Sequence, residues 1–196
     1  MKMFDPKKGQ GSGVRLIRKF RPVTRLEVLV GEVNNKDPDT TKFVMPAYLL
    51  WSAYKHLYSN KSGIENAVHV SGYKEGNVMR LTDITKGNLA QQDEVHVRVL
   101  GGSNEELQKD WFGAYSIGLF HSHPWPGIQK PSKMDKTAIT QLNKNYDVLG
   151  AIFSSDYYVT FFVPEQKGCI VVIKGRYIDS IQRATVKIVP PEPRNI

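Results

Sequence analysis

Residues 118–135 read GLFHSHPWPGIQKPSKMD, and the rest of the chain is organised around them. The apolar residues Ile117, Leu119 and Phe120 mark a buried strand. On a strand, residues two apart point to the same face, so His121 and His123 aim at one point. Pro124, Pro126 and Gly127 then end the strand and turn the chain. Ser132 has the character of a helix N-cap, which predicts a helix from there through Asn143. Asp135 falls in the first turn of that helix, where it can face back to the histidines. Two imidazoles and a carboxylate are three ligands that zinc accepts, leaving a fourth position for water. That is the pattern of a catalytic site and not of a closed structural one.

Each residue also has an ordinary reading when taken alone. A single histidine at a strand end is commonly a core or surface residue, and Ser132 can be a helix cap and nothing more. Taken together, His-x-His-Pro followed by Ser-x-x-Asp resembles the JAMM signature of the MPN-type metalloproteases. The interval from His123 to Ser132 is one residue longer than the usual family spacing, a difference that falls in a loop. Upstream, Glu65 opens the segment ENAVHVSG, which predicts a strand over 65–70 ending at Ser71 and Gly72. From its neighbours alone, Glu65 is either an exposed strand end or a carboxylate with a chemical task. The resemblance implies the task, because these enzymes carry a glutamate after the first helix, ahead of an apolar run and a small residue before glycine.

The resemblance covers roughly residues 44–175 and implies an α/β (α+β) MPN fold, a mixed curved β-sheet flanked by helices. It further implies one catalytic Zn2+ held by His121, His123 and Asp135. Glu65 would take and deliver the proton of the attacking water, and Ser132 would donate a hydrogen bond to the oxyanion. The implied reaction is hydrolysis of an isopeptide bond between a lysine amine and the C-terminus of ubiquitin or a ubiquitin-like modifier. Implied partners are that modifier, its conjugates, and proteasome or modifier-pathway proteins. Two other functions stay open: a JAMM-type protease acting on sulfur-carrier adducts, and a non-catalytic scaffold that binds nucleic acid through basic ends. The residues assign no substrate-binding side chain, although 85–93, read as a polar loop, is a candidate contact region.

The remaining sequence sets the frame. With 196 residues, 40% hydrophobic and 23% charged, the chain can bury one substantial core. One cysteine, Cys169, leaves no intramolecular disulfide and points to a cytoplasmic setting. No apolar run is long enough to span a membrane. The net charge of +8 is concentrated at the ends, which suits either a solvated face or an acidic partner. Residues 1–12 read as a basic leader, 13–43 as an N-terminal strand extension, 44–189 as the catalytic domain and 190–196 as a tail. Strands are expected over 14–20, 26–33, 77–84, 94–100 and 147–153, with one more strand, or a strand and turn, within 176–189. A hairpin is expected from 157–163 and 169–174 around PEQKG. Pro46 opens a helix with Leu50, Ala53, Tyr54 and Leu57 on one face, and Tyr48, Trp51 and Tyr58 as packing aromatics. A capping box at Ser103 and Glu106 predicts a short helix over 103–111. His56, His69 and His96 are read as structural.

Overall fold

The computed structural model describes residues 25–33, 37–59, 63–85, 88–92, 97–100, 115–144, 147–176 and 178–190. The expected strand over 14–20, the short helix over 103–111 and His96 lie outside the described residues. In chain order the elements are β1 (Arg25–Val30), β2 (Lys42–Pro46), α1 (Ala47–Leu57), β3 (Ala67–Glu75), β4 (Val78–Thr85), β5 (Asn88–Gln92) and β6 (Val97–Leu100). They continue with β7 (Tyr115–His123), α2 (Lys133–Leu142), β8 (Leu149–Ser154), β9 (Tyr158–Phe162), β10 (Cys169–Lys174), β11 (Ile178–Gln182) and β12 (Thr185–Ile188). No helix among these residues is long and apolar enough to cross a membrane.

Ten strands form one mixed sheet in the order β1-β10-β2-β4-β3-β7-β8-β9-β12-β11, and β5 and β6 form a separate two-stranded ribbon. The site depends on the centre of this sheet. β3 runs antiparallel to β7, and β7 runs parallel to β8 through a crossover that contains α2. The crossover returns the chain from the carboxyl end of β7, so the start of α2 lies close to where β7 stops.

The two helices cover opposite faces. Leu50, Ala53 and Leu57 of α1 join Val70, Phe120, Ala151, Phe153 and Val171 in the large core. Ile139 of α2 joins Val148, Ile152 and Phe162 in a small second cluster, with Leu119 packed against it. Alternation along β7 therefore places Phe120 on the α1 side, and Leu119, His121 and His123 on the α2 side. The ring of His121 stands edge-on to Phe162, 6.4 Å away, which agrees with that placement.

The fold is richer in sheet than the expected sheet flanked by helices, with two helices among the described residues. The expected hairpin of 157–163 with 169–174 is not formed. β9 pairs with β8 and β12, whereas β10 pairs with β1 and β2. In the sheet order these strands stand six places apart. A flat sheet would separate them by roughly 29 Å at about 4.8 Å per strand, but the seven residues from Phe162 to Cys169 reach at most about 25 Å. The sheet must therefore curl toward closure. Accordingly Val186 and Ile188 near one end share a core with Val28 and Val30 at the other.

Three further expectations change. The polar stretch read as a loop over 85–93 contains β5, paired antiparallel with β6. Residues 176–189 hold two strands, β11 and β12, and not one. The strand expected to stop at Ser71 and Gly72 continues to Glu75. Gly72 does not end it, because β3 kinks there against β4, and a Cβ at Gly72 would lie 1.8 Å from the Arg80 carbonyl oxygen. Tyr48, expected to pack, is 55% exposed.

Candidate metal centre

β7 ends at His123, and its last two outward positions on the α2 side carry the histidines. Their Nε2 atoms are 3.2 Å apart. Asp135 approaches from α2, with Oδ1 3.1 Å from His121 Nε2 and Oδ2 3.7 Å from His123 Nε2. The ligand-type atoms of His121, His123 and Asp135 all lie within 4.8 Å of one another. Zinc bonds of about 2.0–2.1 Å in a tetrahedral site set neighbouring ligand atoms about 3.3 Å apart. The separations found here bracket that length, so the three side chains fit such an ion without large movement.

Glu65 joins the cluster at its edge, with Oε1 3.6 Å from His123 Nε2. The register explains this. Ala67 pairs with His121 in the antiparallel β3–β7 ladder, so two residues back along the same line Glu65 stands opposite His123. Residues directly opposite in an antiparallel pair share a face. Asn66 locks the position, since its backbone N–H donates to Ser122 Oγ at 2.9 Å and its carbonyl accepts from the Ser122 N–H at 2.8 Å. The Asn66 side chain also donates to the Leu57 carbonyl at 2.7 Å, which ties the segment to the end of α1.

Ser132 is the N-cap of α2. Its Oγ accepts from the Asp135 N–H at 3.1 Å, and Asp135 Oδ2 accepts from the Ser132 N–H at 2.7 Å, a reciprocal capping box. The same hydrogen bonds that begin the helix thus orient the carboxylate toward the histidines. Capping uses Ser132 Oγ as an acceptor and leaves its O–H able to donate. Ser132 itself is exposed.

The loop between His123 and Ser132 is tied down at several points. The Ser155 N–H donates to the Trp125 carbonyl at 3.2 Å, and the Gly127 N–H donates to Asp156 Oδ1 at 2.9 Å. Ser154 Oγ donates to the same Asp156 oxygen at 2.7 Å. Gly127 has a φ of 85°, a backbone geometry suited to glycine. The turn between His123 and Ser132 is thus anchored to the β8–β9 connection. Trp125 is exposed, with its ring 6.1 Å from that of His123.

Electrostatics prepares two of the three candidate ligands. Burial, helped by the neighbouring His121, pushes His123 down to about 4, against opposing pulls from Asp135 and a hydrogen bond with Gln129. At neutral pH its imidazole is therefore uncharged and holds a free lone pair, the form that binds metal. Burial would raise the pKa of Asp135, but hydrogen bonding and charge from His121, with hydrogen bonds from Ser132, outweigh it. The carboxylate is held well below its usual range and stays ionised.

All five residues singled out in the sequence lie in one neighbourhood, with His121, His123 and Asp135 in mutual contact, Glu65 joined through His123 and Ser132 joined through Asp135. Sequence reasoning missed the residues that brace them. Asn66 follows Glu65 and Ser122 separates the histidines, so strand alternation could have paired them. Tyr58, whose hydroxyl donates to the His123 carbonyl, and Asp156 carried no local signal, because their partners lie far along the chain.

No family model matches the chain, and no curated protein matches it. Among solved structures, it is similar to a JAB1/MPN domain protein from Archaeoglobus fulgidus, with a TM-score of 0.35 and 19% identity over 66% of this chain and 87% of that one. It is also similar to a protein from Desulfitobacterium hafniense known from its solution structure, with a TM-score of 0.48 and 17% identity over 67% of this chain and 92% of that one.

Proposed function

We propose that this chain is a JAMM-type zinc isopeptidase of the MPN fold, which releases ubiquitin or a ubiquitin-like modifier from lysine conjugates or precursor tails. One observation carries the reading. Two imidazole nitrogens from β7 and a carboxylate oxygen from α2 converge at zinc-ligand spacing, with a second carboxylate, that of Glu65, at the edge. His121, His123 and Asp135 would hold the ion. When bound, zinc supplies Lewis acidity, lowering the pKa of its water from about 15.7 toward 7.

The protein's own groups divide the remaining work. Glu65 Oε1 accepts the proton of the attacking water and passes it to the departing lysine nitrogen. The Ser132 hydroxyl donates to the oxygen that gains negative charge at the scissile carbonyl. Asp135 is fixed by Ser132, so the helix start supplies both a ligand and the oxyanion donor. The β5–β6 ribbon, with no third strand among the described residues, offers an edge to which an extended modifier tail could add.

The test uses the purified chain against a panel of modifier fusions and lysine-linked conjugates. Cleavage that stops on chelation and returns with zinc is expected. Glu65→Gln should lower it by at least about 100-fold while zinc stays bound, because the carboxylate acts as base and not as ligand. Cleavage that survives chelation, or is unchanged in Glu65→Gln, would contradict the assignment.

A further inference from the structure

β7 stops at His123, and Pro124, which has no N–H, begins the turn that follows. The backbone of this candidate ligand is therefore at the end of its ladder, and something must fix where the strand ends. Tyr58 reaches it from the other face. Its hydroxyl lies 2.8 Å from the carbonyl oxygen of His123 and 2.8 Å from that of Phe153, donating across the adjacent ends of β7 and β8. Tyr58 is itself held, since its N–H donates to the Tyr54 carbonyl at 2.9 Å as α1 ends. Its ring stacks on Tyr54 with centroids 4.6 Å apart. Burial, with smaller contributions from Tyr54, Asp156 and Glu65, pushes its hydroxyl well above the usual tyrosine range, so it remains a donor.

We propose that Tyr58 is a positioning residue for metal binding, clamping the backbone of His123 so that its Nε2 stays in register with His121 and Asp135. The inference rests on the metal reading above. α1 is seated in the apolar core through Leu50, Ala53 and Leu57, so the clamp ties the ligand's backbone to a helix anchored by burial. Tyr54 provides an internal control. It belongs to the same stack and donates a hydrogen bond of the same 2.8 Å length, but to the Ser155 carbonyl in the β8–β9 turn and not to a ligand.

The experiment compares Tyr58→Phe with Tyr54→Phe in the full chain. Zinc affinity is measured by competition with a chelating indicator, alongside the absorption spectrum of the Co2+-loaded protein and the Tm without metal. Each variant keeps its ring and loses one hydroxyl, so both should melt slightly lower. Tyr58→Phe should bind zinc roughly tenfold more weakly, as when a group orienting a metal ligand is lost, and alter the Co2+ spectrum. Tyr54→Phe should keep the wild-type affinity and spectrum. Tyr58→4-aminophenylalanine, which restores an N–H donor, should recover most of the affinity. Wild-type zinc affinity in Tyr58→Phe, equal weakening in both variants, or no recovery with the amino analogue would overturn the proposal. Failure of the wild-type chain to bind zinc would instead remove the metal reading itself, and this inference with it.

Discussion

The two helices are held by different forces. α1 buries Ala47, Leu49, Leu50, Ala53 and Leu57, and its N-cap, Pro46, makes no side-chain hydrogen bond. α2 buries Ile139 alone and begins with the reciprocal Ser132–Asp135 capping box. Apolar burial thus anchors the first helix, whereas local polar bonds set the start of the second. The polar cluster lies on the weakly buried side, where a carboxylate can be presented to histidines without sitting in a closed core. Each side nevertheless reaches the other. Tyr58 and Asn66 pass from the end of α1 to the strand that bears the histidines.

The largest effect should come from the α1 side. Leu57 is fully buried, so Leu57→Ala should cost about 2–5 kcal/mol in denaturant unfolding. A loss near that of an exposed site would erase the contrast between the helices.

Next is the pH dependence of the metal-free protein. His123 is pushed down to about 4 in the fold, while an unfolded histidine titrates near 6.5. Above that value both states are neutral and stability is full. As pH falls from about 6.5 to 4 the unfolded state takes up a proton that the fold does not, so stability drops by at most about 3 kcal/mol. Asp135 acts in the same sense in a lower window. Held below its usual range, it contributes fully above about 4 and loses that contribution only in stronger acid. His69, also lowered by burial, adds to the histidine slope, so His123→Asn is the comparison that isolates the effect. Melting curves with the same slope in both proteins would contradict it.

The smallest stability effect belongs to the α2 cap. Ser132→Ala should cost about 1 kcal/mol, yet lower turnover by about 10²–10³-fold through the lost oxyanion donor. A variant that melts slightly lower but turns over at the wild-type rate would make Ser132 a cap and nothing more.

What could be read in advance follows the range of the interactions. The end of β7 and the start of α2 are written locally, in an apolar run with two histidines two apart, a proline break and a capping serine. The face of α1 was legible for the same reason, through Leu50, Ala53 and Leu57 at helical spacing. Strand partnership was not. The runs that form β9 and β10 flank a turn-like PEQKG and imitate a hairpin, yet each completes a different region of a curled sheet. β5 reads NLAQQ, without the apolar alternation that marks a half-buried strand. Within the site, Glu65 could be recognised only through the family likeness, because the register that brings it opposite His123 is a long-range pairing. Tyr58 escaped for a related cause. A tyrosine on a helix face looks like packing until its hydroxyl is seen on a distant carbonyl.

The central claim is that the converged histidines and aspartate bind zinc, and metal analysis of the purified chain tests it most directly. Dialysed against zinc and then freed of excess, the wild-type protein should retain one ion per chain, and His121→Ala should retain none while remaining folded. A wild-type chain without bound zinc, or a His121→Ala variant that keeps a full equivalent, would contradict the account.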